Sequence, residues 1–214
     1  LCWTSGVTNE LCRDARAYLK GEPASSRGLK SWGRNCVGGK YVDIMPNDSF
    51  YDCQCGTCAR VRAKDGQYAA ERVWGATAAK LPPPNYANDV VWRATAGIAQ
   101  RLLDEGVPGY ITQMAYTPYG RVPDLVIPTN VLVMVARTGP FSKYDAKSRA
   151  QQKADIVAWT RKTGRKVWLW NYPGKVAELA LKGVPQMCPR AWGEYYREMS
   201  PYILGAFAES ETDR

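Results

Sequence analysis

The residues with the clearest chemical potential lie between Tyr41 and Cys58, in the run YVDIMPNDSFYDCQCGTC. Tyr41–Met45 has the apolar pattern of a short strand, and Pro46-Asn47-Asp48 must begin a loop. Asp48 therefore stands just past the carboxyl end of a strand, where α/β barrels keep their chemistry. A Cys53-x-Cys55-x-x-Cys58 cluster follows. Three closely spaced thiolates can bind zinc, but a closed structural site takes four ligands. Cys12, Cys36, Cys188 and Asp52 are the candidates for the fourth. Buried or disulfide-linked cysteines are the favoured reading over metal, so no cofactor is expected. The chain has seven cysteines, so at least one thiol cannot pair within it. It has no histidine at all, which excludes Ser-His and Cys-His nucleophilic machinery and any His-ligated metal within these residues.

Composition sets the frame around those residues. The chain has 214 residues, 45% hydrophobic and 23% charged, enough for one domain over 1–214 with a proper core. No apolar run is long enough to span a membrane. The net charge of +9 favours polyanions in general. The basic residues are scattered, apart from Arg60/Arg62/Lys64 and Arg161/Lys162/Arg165/Lys166, and no nucleic-acid motif surrounds either group. A solvated face is the simplest account of them; a site for an acidic substrate or glycan is the next. The chain opens at Leu1 rather than Met, and Leu1–Thr4 has the look of a strand end. A piece of a longer protein is the expectation, so that a signal sequence upstream would not be visible here.

The elements that must position these groups follow from periodicity. Thr8 is placed to cap a helix over Asn9–Lys20, with Gly21 ending it. Glu22–Gly39 reads as loop. Cys55–Lys64 reads as a short helix, and Asp65–Asn85, with Pro82-Pro83-Pro84, as an extended excursion. Asn88 or a neighbour caps a long helix over Asp89–Glu105, stopped at Gly106. Strands are expected over Gly109–Tyr116, Val131–Arg137, Lys166–Asn171 and Tyr202–Ala208, with helices over Ala146–Thr163 and Ala191–Met199. Thr117–Asn130 is a Pro-rich connection with little helical character. The runs VLVMVA, VWLW and YILGAFA are continuously apolar, as parallel strands buried on both faces are. The expected fold is a TIM-like (β/α) barrel with five or six of its eight strands present.

The strand ends then supply a coherent set: Asn47-Asp48, Tyr116, Arg137, Trp170-Asn171-Tyr172 and Glu209. Two carboxyls, amides, an Arg and aromatic faces suit a pyranose ring, whose C–H groups lie on aromatic planes while polar groups fix its hydroxyls. Two carboxyl groups are also what most glycosidic hydrolysis requires. Asp48 and Glu209 are the catalytic candidates. Asn47, Tyr116, Arg137, Trp170, Asn171 and Tyr172 are the sugar-binding ones. Duller roles compete: a turn cap for Asp48, a solvated tail for Glu209, core packing for Trp168 and Trp170, and an internal ion pair for Arg137.

Four segments in order, PNDSFYDCQCGTC, QMAYTPYGRVPD, NVLVMVAR and VWLWNYPGK, resemble the bacterial family called domain of unknown function 4838. That family is related to glycoside hydrolase family 163, and the resemblance runs from Leu1 to Glu209. It implies a barrel glycoside hydrolase, export, and endo-β-N-acetylglucosaminidase action on complex N-glycans. In such enzymes the sugar's 2-acetamido oxygen attacks the anomeric carbon, one carboxyl orients the amide, and another protonates the leaving oxygen. By the same resemblance Asn47 and Asp48 fall on an Asn-Asp pair, Tyr116 on an Ala-Tyr, and Trp170-Asn171-Tyr172 on a Trp-Asp-Tyr. Asn171 departs from that pattern, since an amide is neither acid nor base. A hydrolase of uronic-acid-containing glycans and a carbohydrate-binding domain without catalysis are the alternative readings.

Overall fold

A computed structural model of the chain describes residues 2, 6–46, 53, 55–64, 86–139, 146–172 and 189–209, with only the backbone of 61–64. Asn47 and Asp48 lie outside the described residues, as do Leu1, Trp3, Thr4 and the 65–85 excursion. The chain divides into two compact units, Leu1–Leu132 and Val133–Arg214.

The first unit begins with α1 (Val7–Leu19), which buries Cys12, Ala15 and Leu19. Gly6 occupies the cap position that the sequence suggested for Thr8, and no side chain caps the helix. A 3-10 turn over Ala24–Arg27 follows. The strands β1 (Cys36–Val37) and β2 (Tyr41–Asp43) then form an antiparallel pair; β1 lies inside the expected loop Glu22–Gly39, and β2 within the expected strand Tyr41–Met45. Next come α2 (Gly56–Lys64) and α3 (Tyr86–Asp104). Val91, Thr95, Ile98 and Leu102 of α3, spaced three and four apart, make the buried stripe a helix needs. Asn88, expected as a cap, is instead buried within α3, where its Oδ1 accepts from the Arg121 backbone N–H at 3.1 Å. The strand β3 (Tyr110–Ala115) pairs parallel with β2, and the Tyr41 and Tyr110 rings stack across that register.

Residues 116–130 carry no helix. The chain passes directly into β4 (Val131–Ala136), where the Ile111 N–H meets the Asn130 carbonyl at 2.9 Å. The second unit then adds α4 (Ala146–Thr163), β5 (Val167–Asn171), α5 (Pro189–Met199) and β6 (Ile203–Ala208). β4, β5 and β6 are parallel neighbours. Gln152, Ile156 and Trp159 of α4 and Ala191, Tyr195 and Met199 of α5 are buried, as are Val133, Val135, Val167 and Leu169 among the strand residues.

The expectation of an incomplete TIM-like barrel is corrected by this topology. The six strands lie in chain order, but β1 is antiparallel to β2 and no helix separates β3 from β4. A (β/α) barrel requires parallel strands, each followed by its own helix. The fold among the described residues is a mixed α/β arrangement with five α-helices. None of those helices is long and apolar enough to cross a membrane.

Candidate functional site

The second unit brings four of the expected site residues to one edge. Parallel pairing aligns the carboxyl ends of β4, β5 and β6: the Arg137 N–H donates to the Trp170 carbonyl at 2.9 Å, and the Glu209 N–H to the Asn171 carbonyl at 2.8 Å. Side-chain direction then alternates along each strand. Val167, Leu169 and Asn171 are buried, while Trp168 and Trp170 point to the other face. On β6 the pairing jumps from Val167↔Ile203 to Trp168↔Gly205, so Leu204 is an inserted residue. That bulge changes the strand's parity. It places Gly205 opposite Trp168 and Phe207 opposite Trp170.

This register builds an aromatic surface with a carboxylate beside it. The Trp170 and Phe207 rings lie 4.2 Å apart, tilted by 38°. Phe207 is 48% exposed and Trp168 38% exposed. Gly205 makes room for the Trp168 ring, since a Cβ there would stand 2.7 Å from its Cζ3. At the end of the strand the Trp170 indole N–H donates to Glu209 Oε2 at 2.7 Å. An indole N–H can only donate, so Glu209 is oriented here as an acceptor.

Asn171 is placed differently from what a sugar contact requires. It is fully buried. Its Nδ2 donates to the Arg137 carbonyl at 2.9 Å and to the Trp170 carbonyl at 3.3 Å, and its Oδ1 accepts from the Tyr196 hydroxyl at 3.0 Å. Burial pushes that Tyr196 hydroxyl up to about 12, so it stays neutral and donates at ordinary pH. A carboxylate at 171 would turn an acceptor toward two carbonyls, which accounts physically for the amide in this chain. Gly139 closes the same corner at φ 82°, with no room for a Cβ between Trp192 and Asn171.

Arg137 is likewise engaged within the unit. Its Nη2 and Nε reach Asp155 Oδ2 at 2.8 and 3.1 Å, and its Nη1 donates to the Ala136 carbonyl at 2.6 Å. The internal ion pair weighed from sequence is the one observed. Tyr172 is half-buried at the end of β5.

In the first unit, Tyr116 is half-buried at the end of β3, edge-on to Tyr119. Both belong to an apolar cluster with Cys58, Tyr86, Ala87 and Val91, against which Cys2 and Cys53 pack. Asp43, which the sequence reading passed over, ends β2 with Thr112 Oγ1 donating to its Oδ1 at 3.2 Å. Burial raises its carboxyl above the ordinary range, a mark of functional positions and of structural ones alike.

The cysteines form the second constellation. Among the described residues, Cys2, Cys53, Cys55 and Cys58 are the one group whose arrangement suits a metal ion, all four Sγ atoms lying within 4.8 Å of one another. The fourth member is Cys2, not Cys12 or Cys36, the described members of the set named from sequence; Cys188 and Asp52 lie outside the described residues. Cys12 is turned into the core by the α1 stripe. Nothing in the spacing singles out Cys2, which follows from tertiary structure alone. The Cys58 N–H on Cys55 Sγ lowers the Cys55 thiol below its usual range. The Cys55 N–H acts the same way on Cys53, but the thiols of Cys2, Cys55 and Cys58 outweigh it and push Cys53 up to about 11.

No protein-family model matches the chain, and neither does any curated protein or solved structure.

Proposed function

We propose that the carboxyl edge of β4–β6 binds glycans and that the protein hydrolyses N-acetylglucosamine-containing glycans there, as an endo-β-N-acetylglucosaminidase-like enzyme. The observation that carries this reading is Glu209 held on the Trp170 indole beside the Trp170–Phe207 ring pair. An aromatic plane takes the C–H face of a pyranose, and an adjacent acceptor carboxylate takes a hydroxyl or an acetamide N–H. In the substrate-assisted route, the acetamido oxygen bonds to the anomeric carbon as the glycosidic bond breaks. A second carboxyl gives its proton to the leaving oxygen, and its carboxylate takes a proton back from the water that later opens the intermediate with retention. Glu209 is proposed to orient the acetamide. Asp48, the leading catalytic carboxyl by sequence, has its own test in Asp48→Asn, which is expected to lose turnover and keep binding. The resemblance of VWLWNYPGK and PNDSFYDCQCGTC to the family named above supports the same reading, and export comes with it.

The test is incubation with complex N-glycans and N-acetylglucosamine oligosaccharides, followed by chromatography of the products. Wild type is expected to release product and Glu209→Gln to bind without releasing it. A wild-type protein that neither binds nor cleaves these glycans overturns the proposal. Binding without release over long incubation selects the non-catalytic carbohydrate-binding reading, which the amide of Asn171, where the resemblance has an Asp, favours.

A further inference from the structure

Four cysteines of the first unit meet at one point, and we propose that they hold a single zinc ion in a tetrahedral tetrathiolate site. Cys2 Sγ lies 3.6 Å from Cys55 Sγ and 3.7 Å from Cys58 Sγ. Zinc–sulfur bonds of about 2.3 Å at tetrahedral angles set their sulfurs about 3.8 Å apart. The two Cys2 separations match that value, and all four sulfurs lie within 4.8 Å of one another, close enough to draw in around one ion. A disulfide needs its sulfurs at about 2.05 Å.

The local chain is built for the same task. The Cys55 N–H points at Cys53 Sγ and the Cys58 N–H at Cys55 Sγ, each at 3.5 Å. Amide donors on sulfur spread the charge of thiolate ligands, as outer partners of metal ligands do. Four sulfur ligands in this geometry select zinc or iron over magnesium or calcium. Zinc suits a closed site with no open coordination position. On binding, each thiol releases its proton to solvent as its Zn–S bond forms, leaving a zinc tetrathiolate of net charge −2.

The fold has a use for such a clasp. Nine residues make α2, too few to be stable as a helix alone. Its Cys58 is fully buried against Tyr86, Ala87 and Val91 of α3. Cys2 precedes α1 and is 53 positions from Cys55. One ion would therefore tie the entry to α1, the segment after β2 and the start of α2 onto α3. This site is independent of the glycan reading, and either can fail alone.

The experiment is elemental analysis of the purified full chain, paired with thiol counting by alkylation in denaturant without reductant. About one zinc per chain is expected, released when the thiols are titrated with a mercurial reagent. Cys55→Ser is expected to lose the zinc, while Cys36→Ser, which alters a cysteine on β1, keeps it. Should Cys55→Ser fail to fold, cobalt substitution of the wild type decides the matter. Intense visible d–d bands with sulfur-to-cobalt charge transfer support a tetrahedral tetrathiolate, and a weak octahedral spectrum overturns it. Zinc-free protein with the four cysteines locked in disulfides, or iron in place of zinc, also overturns the proposal.

Discussion

The indole N–H of Trp170 rests on Glu209 Oε2 at 2.7 Å, joining the ends of two neighbouring parallel strands through their side chains. The contact depends on the β6 bulge, because in a regular strand, with Leu204 paired in the ladder, Phe207 and Glu209 would share the face of Ile203. A carboxylate fixed by its neighbour meets a substrate without first losing rotamer freedom.

Glu209→Gln keeps the size of the side chain and an oxygen to accept from the indole, but removes the negative charge. For the role proposed, turnover of N-acetylglucosamine glycans should fall by ~10²–10⁴-fold with binding little changed. Steady-state rates and equilibrium binding, measured side by side, separate the two. Equal loss in both would make Glu209 a binding residue.

Asn171→Asp places a carboxylate where two backbone carbonyls accept from an amide. The side chain is buried, so the loss is not made up by water. Destabilisation of about 1–3 kcal/mol is expected, read by urea or thermal unfolding. An unchanged midpoint at neutral pH would show that the corner accommodates an acid after all.

Gly139→Ala tests the same corner from the other side. Its φ of 82° disfavours any side chain, and the new Cβ would stand 3.2 Å from the Trp192 ring and 3.3 Å from the Asn171 amide. Thermal unfolding should show a loss of about 1–3 kcal/mol. Gly164→Ala, at a similarly positive φ of 64° but with open space around its Cβ, is the matched control and isolates the contact with Trp192 and Asn171.

Much of this was legible beforehand, for reasons specific to each segment. The helix Ala146–Thr163 has the bounds that periodicity implied, and β3 to β6 fall where apolar runs placed strands, but β6, with Ile203 alone buried, lacks the two buried faces such a run implies. The β1–β2 hairpin was hidden because a two-residue strand leaves no pattern. The barrel reading extrapolated from strand count, although the Pro-rich 117–130 connection already reads as lacking a helix; β1's direction is a fact of pairing that no local pattern carries. Cys2 is not distinguished from Cys12, Cys36 or Cys188 by sequence, because spacing cannot rank ligands that lie far from the cluster. Asn171 looked available because a strand-end amide reads the same whether it faces a sugar or two carbonyls.

Acid should weaken the second unit through Glu198. Hydrogen bonds from Arg149, then Lys153, hold its carboxyl below the ordinary value of 4.5. The pKa is depressed in the folded state, so its stabilisation is present above the unfolded value and lost as pH falls through the folded one. Thermal midpoints taken from neutral to about pH 3 should decline for wild type and decline less steeply for Glu198→Gln. Parallel curves would remove Glu198 from the acid response.

Glycan binding by Trp170 is the claim on which the functional account turns. Isothermal titration of an N-acetylglucosamine oligosaccharide into wild type and Trp170→Ala, both shown to be folded by circular dichroism, tests it directly. The account predicts measurable binding by wild type and at least roughly tenfold weaker binding by the variant, about 1.4 kcal/mol. Equal affinities for the two proteins, or no heat of binding in wild type, would contradict it.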